Sequence, residues 1–106
     1  MTNEEKLNIE EQTVAMLKTV YDPEMPVNVY DMGLIYRIEV DDNGAVAIDM
    51  TFTAPTCPMA DFILEDVRVK VASIDGVTAV DVNLVWEPEW NPDMMNDEAK
   101  LEMGFM

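Results

Sequence analysis

Leu34-Ile35-Tyr36-Arg37-Ile38-Glu39-Val40-Asp41-Asp42-Asn43-Gly44-Ala45-Val46-Ala47-Ile48-Asp49-Met50-Thr51-Phe52-Thr53 is a β-hairpin written in sequence. Val46, Ile48, Met50 and Phe52 alternate with Asp49 and Thr51, the two-residue period of a strand with one buried face. Leu34 to Val40 has the β-branched and aromatic content of a partner strand. Asp41-Asp42-Asn43-Gly44 joins them with the residues that tight hairpin turns require. The spacing predicts strands over 34–40 and 45–53.

Downstream of the hairpin the period changes. Met59, Ile63, Val67 and Val71 recur every fourth residue, and Ala60, Leu64 and Ile74 widen the stripe. This predicts an amphipathic helix over 58–73, with Pro58 suited to its first turn and Asp75-Gly76 ending it. A third strand follows over 77–85, with Val80, Val82 and Leu84 alternating against Asp81 and Asn83. Upstream, Asn8-Ile9-Glu10-Glu11 has the spacing of a capping box, and Val14, Leu17 and Tyr21 follow at helical spacing, with Met16 and Val20 beside them. These place a helix over 9–20 behind a flexible N-terminus, 1–8, with a single domain over 9–106; Met1 to Leu7 either extend that helix or stay loose. Two proline-bearing loops, Asp22 to Asn28 and Trp86 to Pro92, interrupt the regular elements. Asn96 to Met103 reads as a short C-terminal helix closed by Gly104. The order α-β-β-α-β plus a tail defines an α+β fold: two layers, with helices on one face of a small three-stranded sheet.

The chain has 106 residues, 49% of them hydrophobic, enough for one core. No apolar run approaches the roughly 18 residues of a membrane span. The acidic start, Met1-Thr2-Asn3-Glu4-Glu5, is unlike a signal peptide. A single cysteine excludes an intrachain disulfide, and a cytoplasmic location is the expectation. The net charge of -16, from 22 acidic against 6 basic residues, repels phosphate backbones and anionic lipid. Nucleic acid and membranes are therefore not expected partners, and basic protein surfaces are. With no histidine, the commonest metal ligand and acid/base group is missing.

Three features carry candidate chemistry. Cys57 sits between two prolines at a strand-to-helix junction, where free helical N–H groups favour a thiolate. It reads either as a reactive or metal-contacting sulfur or as a small buried hydrophobe. Thr51, Thr53 and Thr56 are within reach in sequence to hydrogen-bond the sulfur or its ligand. Asp22 and Glu24, two apart on a stiff loop, read as a cation site or as a turn residue and a solvated one. Asp31 joins them or starts the next turn. If the carboxylates approach Cys57, their charge opposes thiolate formation, and a bound cation resolves the conflict. Such a site is associated with a metal or completed by a partner, and it is not an enzyme's thiol. Trp86 and Trp90 either close the core or anchor a partner.

Asp22-Pro23-Glu24-Met25-Pro26-Val27-Asn28-Val29-Tyr30-Asp31-Met32-Gly33-Leu34-Ile35-Tyr36 resembles the signature of the metal–sulfur cluster biosynthesis family. That family spans SufT, PaaD-like and MIP-type iron–sulfur assembly domains. Thr51 to Met59 resembles its second signature, which carries the family's thiol, and Leu84-Val85-Trp86-Glu87-Pro88 is similar as well. The tail most resembles the stand-alone SufT-like members. The resemblance implies an accessory role in iron–sulfur cluster assembly or delivery. Cys57 would contact iron or a cluster, with Asp22, Glu24 and Asp31 as weaker metal candidates and Thr53, Thr56, Trp86 and Trp90 facing partners. The expected partners are an assembly scaffold or carrier and client apo-proteins. One chain alone holds no cluster or iron stably, so a homodimer, a client cysteine or a small thiol must complete the site. The rival expectation is a non-catalytic protein–protein adaptor with a structural cysteine.

Overall fold

Thr2 starts the first helix. Its hydroxyl accepts from the Glu5 N–H at 3.1 Å, and the Glu5 carboxylate accepts from the Thr2 N–H at 3.1 Å. This reciprocal capping box launches α1 (Asn3–Leu17). The helix therefore begins upstream of the box expected at Asn8, and residues 3–8 belong to it. Thr2-Asn3-Glu4-Glu5 satisfies the same spacing rule, and nothing between it and Asn8 breaks a helix. Of the expected stripe, Leu17 is buried, Val14 is half-buried and Tyr21 lies beyond the helix and is exposed; Ile9 and Thr13 complete the buried face of α1. Thr13 fits the apolar face because its hydroxyl donates to the Ile9 carbonyl at 2.8 Å.

The computed structural model describes residues 1–23, 25–53 and 59–104. After α1 come β1 (Ile35–Val40), β2 (Ala45–Met50), α2 (Ala60–Ala72), β3 (Ala79–Leu84), a 3-10 turn (Pro92–Met94) and α3 (Asp97–Glu102). The sheet order is β1-β2-β3. β1 and β2 are antiparallel, with Ile38 opposite Ile48 and Val40 opposite Val46. β2 and β3 are parallel, joined by the crossover through α2. The expected hairpin is present: Asp41 Oδ1 accepts from the Asn43 and Ala45 N–H groups at 2.8 and 2.9 Å. Gly44 takes φ +84°, and a Cβ there would meet the Gly76 carbonyl oxygen at 2.3 Å.

Val46, Ile48 and Met50 point from β2 into the core, where α1 and α2 cover one face of the sheet. Ile63, Val67 and Val71 of α2 are fully buried against it, each contributing about 1.5–3 kcal/mol of transfer free energy. On the opposite face Arg37 pairs with Asp49, its Nε donating to Oδ2 at 2.9 Å, and the Asn83 amide donates to Asp49 Oδ1 at 3.3 Å. The tail after β3 joins the core through Met95 and Ala99. Among the described residues no helix is long and apolar enough to cross a membrane.

Candidate functional site

Residues 18–34 form a loop that is closed on itself. The Val29 N–H donates to the Val20 carbonyl at 2.9 Å, and Tyr21 and Asn28 form an antiparallel bridge. Inside this neck Asp22 is 8% exposed, and its carbonyl accepts from the Met25 N–H at 2.9 Å. Beyond the neck Asn28 builds a turn. Its Oδ1 accepts from the Asp31 N–H at 2.9 Å, and its Nδ2 donates to Asp31 Oδ2 at 2.9 Å. This is the side-chain-to-backbone closure expected of asparagine at a turn start.

Asp31 is the hub of the loop and is only 6% exposed. Its second carboxylate oxygen, Oδ1, accepts from Asn96 Nδ2 at 2.7 Å, and its backbone carbonyl accepts from the Asn96 N–H at 3.0 Å. Asn96 in turn caps α3, its Oδ1 accepting from the Ala99 N–H at 2.9 Å. The acidic loop and the C-terminal helix are thus one hydrogen-bonded unit. The tail is fastened along its length. Trp90 Nε1 donates to the Met32 carbonyl at 2.8 Å, and the Tyr36 hydroxyl donates to the Pro88 carbonyl at 2.8 Å. Burial raises the Tyr36 phenol above its ordinary pKa. Gly33, at φ +79°, lies so close to the tail that a Cβ would sit 2.2 Å from the Met94 carbonyl oxygen.

The residues expected from sequence fall into three groups. Asp22 and Asp31 are both buried in the loop, and Asp31 lies within the turn that Asn28 starts. Thr53 is exposed three residues beyond the end of β2, which stops at Met50 rather than running to 53, Trp86 is exposed, and Trp90 is half-buried against the loop. Cys57, Thr56 and Glu24 lie outside the described residues. Thr51 is fully buried, and its hydroxyl has no hydrogen-bond partner among the described residues. Among those residues no three Asp, Glu, His or Cys side chains come together as a metal site. Asn28 and Asn96 were not singled out from sequence. The signals were present as Asn28-x-x-Asp31 and Asn96-x-x-Ala99, each an asparagine side chain closing a local turn or cap.

A cleft of about 490 Å³ opens beside this unit, between the loop and α3. Tyr21, Pro26, Val27 and Leu101 supply its apolar walls, and Glu98 and Glu102 line the α3 side.

An α+β domain with a mixed three-stranded sheet, two covering helices and an acidic loop strapped by its tail defines a recognisable class. The structure superimposes on a Bacillus anthracis structure described as a domain of unknown function, DUF59, with a TM-score of 0.91 and 33% identity, covering 99% of this chain and 100% of that one. Residues 10–82 match the family described as iron-sulfur cluster assembly protein, and the chain belongs to that family. It is 61% identical over 104 residues to a Porphyromonas gingivalis protein named Fe-S protein maturation auxiliary factor, covering 98% of this chain and 99% of that protein. It is 40% identical over 85 residues to the Staphylococcus aureus Fe-S protein maturation auxiliary factor SufT, covering 80% of this chain and 97% of SufT.

Proposed function

We propose that this chain is an accessory factor that helps deliver iron–sulfur clusters to client apo-proteins in the cytoplasm, acting through the Cys57 thiol and the acidic loop. One observation carries the reading: near end-to-end likeness, at 61% identity, to a protein named as a maturation auxiliary factor. The cluster or iron is cargo and not a resident group. Cys57 offers one thiolate, and a carrier's thiolates, a client's thiolates or a second copy of this chain supply the remaining ligands by exchange. The chain works by holding and passing rather than by catalysing a metabolic reaction. The Asn28–Asp31–Asn96 unit keeps the loop in one shape for that encounter, so less order has to be acquired on binding.

The test is Cys57→Ser in a strain lacking the native gene, with client activity and client co-purification measured in parallel. Lost maturation with retained client binding is the expected outcome. Full maturation by the serine variant would overturn the thiol role and leave an adaptor.

A further inference from the structure

We infer that the cleft between the acidic loop and α3 is a docking pocket for an arginine side chain presented by a protein partner. Its shape and its charge point to the same occupant. Tyr21 and Leu101, 51% and 67% exposed, are large apolar groups left in water at its edges. With Val27 and Pro26 they form walls suited to an aliphatic stem and to the flat face of a guanidinium. Glu98 and Glu102 are four apart on α3, so both carboxylates lie on one side of the helix. Two like charges at that spacing repel, and a bound cation relieves the repulsion.

The chain does not supply that cation from its described residues. Lys6 pairs with Asp42, Arg37 with Asp49, Arg68 with Glu65 and Lys70 with Asp66, while Lys18 lies over the Tyr30 ring at 5.5 Å. Lys100 is two residues from each glutamate, on the other side of α3. Arginine suits the pocket better than lysine because it stacks on an aromatic ring and meets two carboxylates with a planar fork. Behind the mouth, Asn28 and Asp31 are already joined to each other and to Asn96, so the pocket is pre-shaped. The inference rests on the proposed function only in taking the partner to be a protein.

The test titrates isotope-labelled protein with the blocked peptide Ac-Ala-Ala-Arg-Ala-Ala-NH2, followed by amide NMR shifts. Parallel titrations replace the central arginine by lysine or norleucine. Saturable shifts confined to Tyr21, Val27, Asn28 and residues 98–102 are expected, with the norleucine peptide weaker by about tenfold or more and lysine between them. The double variant Glu98→Gln/Glu102→Gln, both at exposed positions, should also bind the arginine peptide about tenfold more weakly. Shifts scattered over the acidic surface, equal binding of the three peptides, or undiminished binding by the double variant would each overturn the inference. Cys57→Ser protein should bind the peptide normally, so failure of the cluster-transfer reading and failure of the pocket appear in different measurements.

Discussion

Asn96 performs two tasks with one side chain. Its oxygen caps α3, and its amide nitrogen holds the Asp31 carboxylate. Asn96→Ala removes both and should cost about 2–3 kcal/mol, read as a fall in the urea midpoint. Asn96→Asp keeps the cap but sets a second carboxylate against Asp31, so at neutral pH it should be less stable than the asparagine parent. An unchanged midpoint in both variants would sever the link between loop and tail. Thr51 makes the opposite prediction. Its buried hydroxyl has no partner among the described residues. Thr51→Val should therefore raise stability by about 1 kcal/mol, and a loss of that size would show that the hydroxyl is satisfied. If client maturation falls while stability rises, the hydroxyl serves function and not the fold.

At the scale of elements, the parts readable from sequence were those whose signal is local. The hairpin was legible because Asn43-Gly44 lies between two runs of strand period. The helix over α2 was legible because its four-residue stripe is unbroken, and Ile63, Val67 and Val71 are buried as that stripe requires. The start of the first helix stayed open in the sequence, with residues 1–7 extending it or loose, because two capping-box patterns occur six residues apart and only packing chooses between them. The strand order was not legible: β3 pairs parallel with β2 through a helical crossover, a long-range outcome that strand periodicity does not encode. The candidate loop was visible as Asp22 and Asp31. Its fastening to Asn96 was not, since the two partners stand 65 residues apart in the chain. Gly33 tests that fastening. Gly33→Ala must adopt a positive φ and clear the Met94 carbonyl, so a loss of about 2 kcal/mol or more is expected. Faster amide hydrogen exchange over residues 92–96 should accompany it, because the tail has to lift.

The whole molecule carries a charge of -16, and its fold works against that self-repulsion. Added sodium chloride screens the repulsion, so the thermal midpoint should rise with salt at neutral pH. A flat response would mean that the carboxylates are spaced beyond mutual reach. Asp49 acts in the other direction. The hydrogen bond from Arg37 holds its carboxyl below the ordinary range, helped by the Asn83 amide and opposed by partial burial. A carboxylate whose folded pKa is depressed stabilises the fold above its unfolded pKa and loses that contribution as pH falls through the folded value. The stability gap between the parent and Asp49→Asn should therefore be present at neutral pH and close in strong acid. Paired urea titrations measure it, and a gap that widens on acidification would contradict the assignment.

The bond from Trp90 to the Met32 carbonyl also makes the protein its own optical probe. One indole is tied to the backbone of the acidic loop, while the other, Trp86, is exposed to water. In a Trp86→Phe background the remaining emission comes from the residue that clasps the tail to that loop. Its wavelength reports directly whether the clasp is closed, with no dye attached and no partner named.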